Sequence, residues 1–154
     1  VFEGRLIGIY TTAEAGAPME SHAEARVIAG VGIEGDRYAA GDGRFSAKPG
    51  TGRQITLVER EAIDAVRAEG IELADHETRR NLLTEGVPLN HLVGRAFRVG
   101  GAVLRGVRLA EPCAYLAGLT REGVSRALVH RGGLRADVLE GATLRVGDNV
   151  TPIA

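Results

Sequence analysis

The 154-residue chain is close to neutral, with a formal net charge of -1, and it holds one cysteine and no tryptophan. That balance supplies no global attraction to nucleic acid or to an anionic membrane. A lone cysteine excludes an internal disulfide, and no stretch approaches the roughly 18 apolar residues of a membrane span. The opening "VFEGRLIGIY" does not read as a signal peptide, and the unpaired thiol suits a reducing cytoplasm. The length suits a single domain over 1–154.

Twenty-two glycines separate short apolar runs. This predicts a mainly β chain, a compact β-barrel of short strands with two or three peripheral helices. In chain order, "GRLIGIYTT" is a first strand, "EAGAPMESHA" a loop, and "EARVIAGVGI" a second strand with a glycine-rich exit. "EGDRYAAGDGRFSAKPGTG" has no hydrophobic period and reads as a long surface loop, a place where function often resides. "RQITLVE" is a strand. The helix after it, "EREAIDAVRAEG", has an apolar face of Ala62, Ile63, Ala65 and Val66 and can end at Gly70.

"NLLTEG" is the next strand, and "PLNHLVG" a short helical turn opened by Pro88. "RAFRVGGAVLRGVRLAEPC" forms a hairpin around Gly100-Gly101. "TREGVSRALVHRGG" predicts a helix with Thr120 as N-cap and Gly132-Gly133 as its stop. "LRADVL" and "TLRVGDNVTPI" supply the last strands, with a turn at Gly147-Asp148.

Two features carry chemistry. The cations are 18 arginines and only one lysine, Lys48. Genomic base composition accounts for such a bias in general, yet forked guanidinium donors also suit a planar or phosphorylated anion. The second feature is Cys113 in "RLAEPCAYLAGL". Proline ends regular strand pairing and keeps the residue before it extended, so Cys113 stands where the chain leaves the sheet, at a rim. A free cysteine is ordinarily a small buried hydrophobe. Here the arginine-rich segments "ETRRN" and "HRGGLR" would favour the thiolate if they reach it, and a thiolate binds soft metals and accepts sulfur.

Taken together, "GIEGDRYA", "RRNLLTEGVPLNHLVGRAFRVGGAVLRGVRLAEPCAYL" and "RGGLRADVLEGATLRVGDNV" resemble the MOSC domain family, named for the C-terminal domain of molybdenum cofactor sulfurases. The resemblance spans about nine tenths of the chain and keeps motif order. It implies a compact β-rich barrel and a site for the molybdenum cofactor (molybdopterin). On the matching positions, Cys113 is the metal ligand or sulfur carrier, and therefore the catalytic residue. The resemblance likewise implies that Arg80, Asn81, Arg131, Gly132, Gly133, Asp36 and Arg37 bind the cofactor. The residue types suit those roles: a thiolate for a soft metal, an amide for a heterocycle edge, and arginines and backbone N–H groups for a phosphate. One departure is Tyr38, where many free-standing relatives have histidine after the GDR segment, which puts in doubt an acid–base role carried over to that position.

The resemblance implies sulfur transfer to the cofactor, or reduction of N-hydroxylated compounds with an external electron donor. The implied partners are a cysteine desulfurase, or a flavin or iron–sulfur reductase, beside a small-molecule substrate. Pyridoxal phosphate is not expected, since Lys48 is the one candidate lysine and lies in a loop. A non-catalytic cofactor carrier, and a small-molecule-binding barrel with a structural cysteine, are the rival readings. No other motif competes. His22, His76, His91 and His130 lack zinc-site spacing, although His76 and His130 adjoin motif arginines and either could pair with Cys113. Ser46 and Ser125 lack a hydrolase frame.

Overall fold

The structure is a computed structural model that describes residues 1–39, 52–111 and 123–153. Seven strands close into a barrel: β1 (Gly4–Thr11), β5 (Ile55–Glu59), β6 (Leu82–Glu85), β7 (Ala96–Val99), β8 (Ala102–Leu109), β9 (Leu134–Glu140) and β11 (Asn149–Pro152). The order round the wall is β11-β7-β8-β9-β5-β6-β1, and β1 returns to β11 to seal it. Pairing in this wall is antiparallel except between β5 and β6, which α1 (Arg60–Ala68) and a long connection link as a parallel pair. Closure leaves no free edge in this wall, which removes the hazard of strand-to-strand association.

The expected strands from "GRLIGIYTT", "RQITLVE", "NLLTEG", "LRADVL" and "TLRVGDNVTPI" are present; the last divides into β10 (Ala142–Arg145) and β11. The hairpin of β7 and β8 turns at Gly100-Gly101, with Val99 opposite Ala102. Only Gly100 has positive φ there, at 54°. Other expectations need correction. "EAGAPMESHA" contains a short strand, β2 (Glu20–His22), because β1 runs long enough to pair with it through Ile9 and Thr11. "EARVIAGVGI" is two strands, β3 (Glu24–Ile28) and β4 (Gly32–Ile33), which pair with each other across a turn and join β10 in a small second sheet.

The helix expected over 120–133 is, among the described residues, a single turn, α2 (Val124–Ala127), with Gly123 as its N-cap. Thr120 lies outside the described residues. The chain leaves the helix well before Gly132, through a turn in which His130 has a φ of 62°. Among the described residues the helical complement is therefore α1, α2 and two 3-10 turns, Asp75–Thr78 and Leu89–Leu92. No helix among the described residues is long and apolar enough to cross a membrane.

Two apolar clusters hold the wall from opposite sides. Inside lie Leu6, Ile9, Ile55, Leu57, Leu82, Phe97, Leu104, Leu134 and Ala136, among others. Outside, Val58 and Leu83 meet Ile63 and Val66 of α1, Val124 of α2 and Leu128 just after it. Strand alternation assigns neighbouring residues to opposite faces, so Ile55 and Leu57 point in while Val58 points out. In β1 a register shift between Leu6 and Gly8 resets the phase, which lets Leu6 and Ile9 both face inward and Ile7 and Tyr10 outward. Burying one leucine or isoleucine in this way contributes about 1.5–3 kcal/mol.

Candidate functional site

The outer face of β8, β9 and β5 has a different character. Leu134 and Ala136 of β9 belong to the inner cluster, so Arg135 between them projects outward. It stands opposite Thr56 of β5 on one side and opposite Arg108 of β8 on the other. Two cations directly across a strand pair repel each other. Burial first, and then the charges of Arg53 and Arg135, hold Arg108 below the usual arginine range, while Asp137 pulls the other way.

The segment Asp36–Tyr38 covers this face. Asp36 is buried, and its carboxylate accepts the backbone N–H groups of Thr12 (3.1 Å) and Tyr38 (3.2 Å). The Arg37 N–H donates to the Thr12 carbonyl at 2.7 Å, so the segment is docked on the end of β1. The Arg37 guanidinium reaches Asp36 Oδ1 at 3.2 Å, the Arg79 carbonyl at 3.0 Å and Met19 Sδ at 3.6 Å. It also lies over the Tyr38 ring, 4.4 Å from its centroid, and donates to Tyr38 Oη at 3.4 Å. Such a stack adds roughly 0.5–2 kcal/mol when desolvated. Burial alone would push the Tyr38 phenol up, but the charges of Arg37, Arg135 and Arg80 and a hydrogen bond from Arg135 outweigh it, so Tyr38 ionises below the usual tyrosine range.

Arg80 ties two segments together. Its Nε donates to the Gly132 carbonyl at 2.8 Å and its Nη2 to the Ala110 carbonyl at 2.7 Å. Ala110 N–H in turn donates to the Gly133 carbonyl at 2.8 Å. The end of β8 and the start of β9 are thus joined by one guanidinium and one backbone bond. Gly133 has a φ of 115°, and a Cβ there would overlap the Leu57 carbonyl oxygen, so only glycine lets β9 lie this close to β5.

Asn81 works from behind. It is fully buried at 0 % exposure, and its Oδ1 accepts from Thr56 N (3.0 Å) and Thr56 Oγ1 (3.1 Å). Its Nδ2 donates to the Tyr10 carbonyl at 3.1 Å. Its side chain therefore stitches β5 to β1 at the entrance of β6. Arg131 points elsewhere: Nε donates to the Ala127 carbonyl at 2.6 Å and Nη2 meets Glu69 at 2.6 Å, beside an open surface hollow under α2.

Of the residues singled out by motif, the structure brings Asp36, Arg37 and Arg80 to one face, with Gly132 and Gly133 as the backbone that Arg80 and β5 hold. Asn81 lies beneath it and Arg131 beside it. Arg135, Arg108 and Tyr38 join the site without having been chosen as cofactor-binding residues. Their signal was the phase of β9, in which Arg135 falls opposite to the core leucine. Cys113 lies outside the described residues, as do Lys48 and Ser46. The last described residues before it are Ala110, held by Arg80, and Glu111, whose carboxylate accepts the His130 N–H at 2.8 Å and meets His130 Nδ1 at 3.1 Å. His130 thus joins the strand end that leads to Cys113, whereas His76 is exposed on its 3-10 turn. No group of three His, Cys, Asp or Glu side chains stands together among the described residues.

This arrangement of docked GDR segment, arginine-clamped strand end and Arg-Gly-Gly turn sits on a barrel with known counterparts. The YuaD protein of Bacillus subtilis superposes with a TM-score of 0.76 at 17% identity, each chain covered over 97% of its length. YiiM from Geobacillus stearothermophilus gives a TM-score of 0.70 at 13% identity, covering 98% of this chain and 75% of that one. YiiM from Escherichia coli gives 0.66 at 17% identity, over 97% and 70%. No curated protein matches the sequence. At these identities the likeness is one of fold. The sequence pattern of the MOSC domain matches residues 35–151, which takes in the GDR segment, both sides of the Arg80 clamp and the Arg-Gly-Gly turn, and the chain therefore belongs to the MOSC domain family.

Proposed function

We propose that this MOSC protein binds the molybdenum cofactor on the arginine-lined outer face, and that Cys113 ligates the metal or carries the sulfur delivered to it. The observation that carries this reading is the Arg80 clamp. It holds the Ala110 carbonyl and the Gly132 carbonyl with one buried guanidinium, whose charge acts on Tyr38 together with those of Arg37 and Arg135. Cys113 follows Ala110 by three residues, and three residues of chain span at most about 11 Å. The thiol is thus within chain reach of a group of cations whose charge favours its ionised form.

The donor set suits the cofactor. Arg37, Arg80, Arg135 and Arg108 present guanidinium groups suited to its phosphate, and Asp36 holds Arg37 in place. Gly132 and Gly133 position these residues through the backbone, Asn81 through its side-chain amide, and Arg131 steadies the turn from outside. When bound, the cofactor supplies a redox-active metal able to exchange electrons and an oxygen or sulfur atom with a substrate. Sulfur transfer then requires a desulfurase partner, and reduction of N-hydroxylated compounds requires a reductase partner.

Reconstitution with intact cofactor, followed by X-ray absorption at the molybdenum edge, tests the ligand role. The wild-type protein is expected to show one more sulfur ligand than Cys113→Ser. A Cys113→Ser protein with the same sulfur count and full molybdenum content overturns it. Mass spectrometry after incubation with a desulfurase tests the carrier role by the presence or absence of one added sulfur on Cys113.

A further inference from the structure

Tyr38 holds a position in this site that the proposed function leaves unused. Its side chain is only 8 % exposed, its ring lies under the Arg37 guanidinium, and its Oη receives hydrogen bonds from Arg37 and Arg135, with Arg80 close enough to act on its charge. Every described group on that oxygen is a guanidinium, and a guanidinium only donates. The lone pairs of Oη are served, but its own hydrogen needs an acceptor, and no described side chain around it offers one. Asp36, two residues before Tyr38, turns its oxygens to Arg37 and to the backbone N–H groups of Thr12 and Tyr38. An anion set among the same arginines would supply the missing acceptor.

We propose that the hydroxyl of Tyr38 is a ligand donor of this site, so that occupancy by a phosphate-like oxyanion and protonation of Tyr38 favour each other. The inference rests on the reading that the arginine face takes an anion. A phenolate and a bound oxyanion compete for the positive charge of Arg37, Arg135 and Arg80, whereas a phenol adds a hydrogen bond to the oxyanion. Linkage makes the effect reciprocal: if the anion favours the protonated phenol, ionising the phenol weakens the anion by the same factor. The groups facing Tyr38 are Asp36 and Arg37 of its own segment, Arg135 of β9 and Arg80 before β6, with Arg108 and Arg53 beyond Arg135. Among these residue types only a phenol ordinarily titrates near pH 10, which makes Tyr38 the group to follow.

Sulfate is the suitable probe, since it stays a dianion throughout that range. Calorimetric titration of the full chain at constant ionic strength is expected to show binding at pH 7 that weakens at least about fivefold by pH 10. Tyr38→Phe is expected to bind more weakly at pH 7 and with a flat profile. The tyrosine Cζ resonance that disappears in Tyr38→Phe is expected to titrate at higher pH when sulfate is present. A flat wild-type profile, or the same fall in Tyr38→Phe, overturns the role of Tyr38 while leaving the anion site intact. No sulfate binding at any pH overturns the anion site itself, and this inference with it.

Discussion

Arg60 and Arg67 near the C-terminal side of β5, and Arg108 and Arg135 on the outer face of β8 and β9, carry the same charge into opposite surroundings. Asp75 answers the first pair: Arg60 grips both its oxygens at 2.8 Å, and Arg67 adds a third bond at 2.8 Å. Burial alone would raise the Asp75 carboxyl, but these bonds win, and it lies below the usual range; Arg60 in turn is raised, first by its bond to Asp75. The second pair face each other in register and oppose each other's charge. Of their neighbours, Arg80 bonds to the backbone carbonyls of Ala110 and Gly132, and Arg37 bonds to the Arg79 carbonyl, Tyr38 and Met19 as well as to Asp36. A charge matched by a carboxylate pins α1 to the turn at Asp75. Charges gathered together stabilise the fold little and are suited to an incoming anion.

The largest expected effect concerns the seam on which the second group rests. Gly133→Ala puts a Cβ onto the Leu57 carbonyl at a φ that suits glycine, and is expected to cost about 3 kcal/mol or more in urea unfolding. Stability within about 0.5 kcal/mol of wild type would show that the β5–β9 seam yields easily.

Next comes Asp75→Asn, which removes the counter-charge of Arg60 and Arg67. A loss of about 1–2 kcal/mol is expected, with sulfate affinity unchanged. The pH dependence has a definite sign. Because the folded Asp75 value is depressed, its contribution is complete above the ordinary carboxylate value and is lost as pH falls through the depressed one. The wild type should therefore lose more stability than Asp75→Asn on acidification.

Arg135→Gln should behave in the opposite way. Stability is expected to stay within about 1 kcal/mol, since a repelling neighbour of Arg108 is removed, while sulfate affinity falls about tenfold. If Arg135→Gln unfolds the protein and Asp75→Asn impairs sulfate binding, the contrast between the two groups is wrong.

The β-barrel was legible because period-two patterns and glycine turns are local. "GRLIGIYTT", the Gly100-Gly101 hairpin and the amphipathic α1 all follow from side chains within a few residues of one another. The doubled core was less legible: "ITLV" in β5 reads only as a continuous apolar run, and the α1 and α2 contacts outside the wall give that run its second face. Motif matching singled out Asp36, Arg37 and Arg80, which the fold brings to one face, but it could not separate a residue that lines the face from one that supports it. Asn81 looks suited to reading a heterocycle edge, yet in the fold both ends of its amide serve Thr56 and Tyr10.

By itself the sequence determined the family, the class of fold and most of the strands, because alternation, turn chemistry and motif order are written along the chain. Tertiary structure alone decided which arginines meet. Arg37, Arg80 and Arg135 come from a loop, a strand entrance and a strand interior far apart in sequence. Only closure of the barrel, with β9 laid against β5 and the GDR segment docked on β1, brings their charges to one phenol. Electrostatic interaction depends on distance in space and on the exclusion of water, and neither is encoded in any local run of residues.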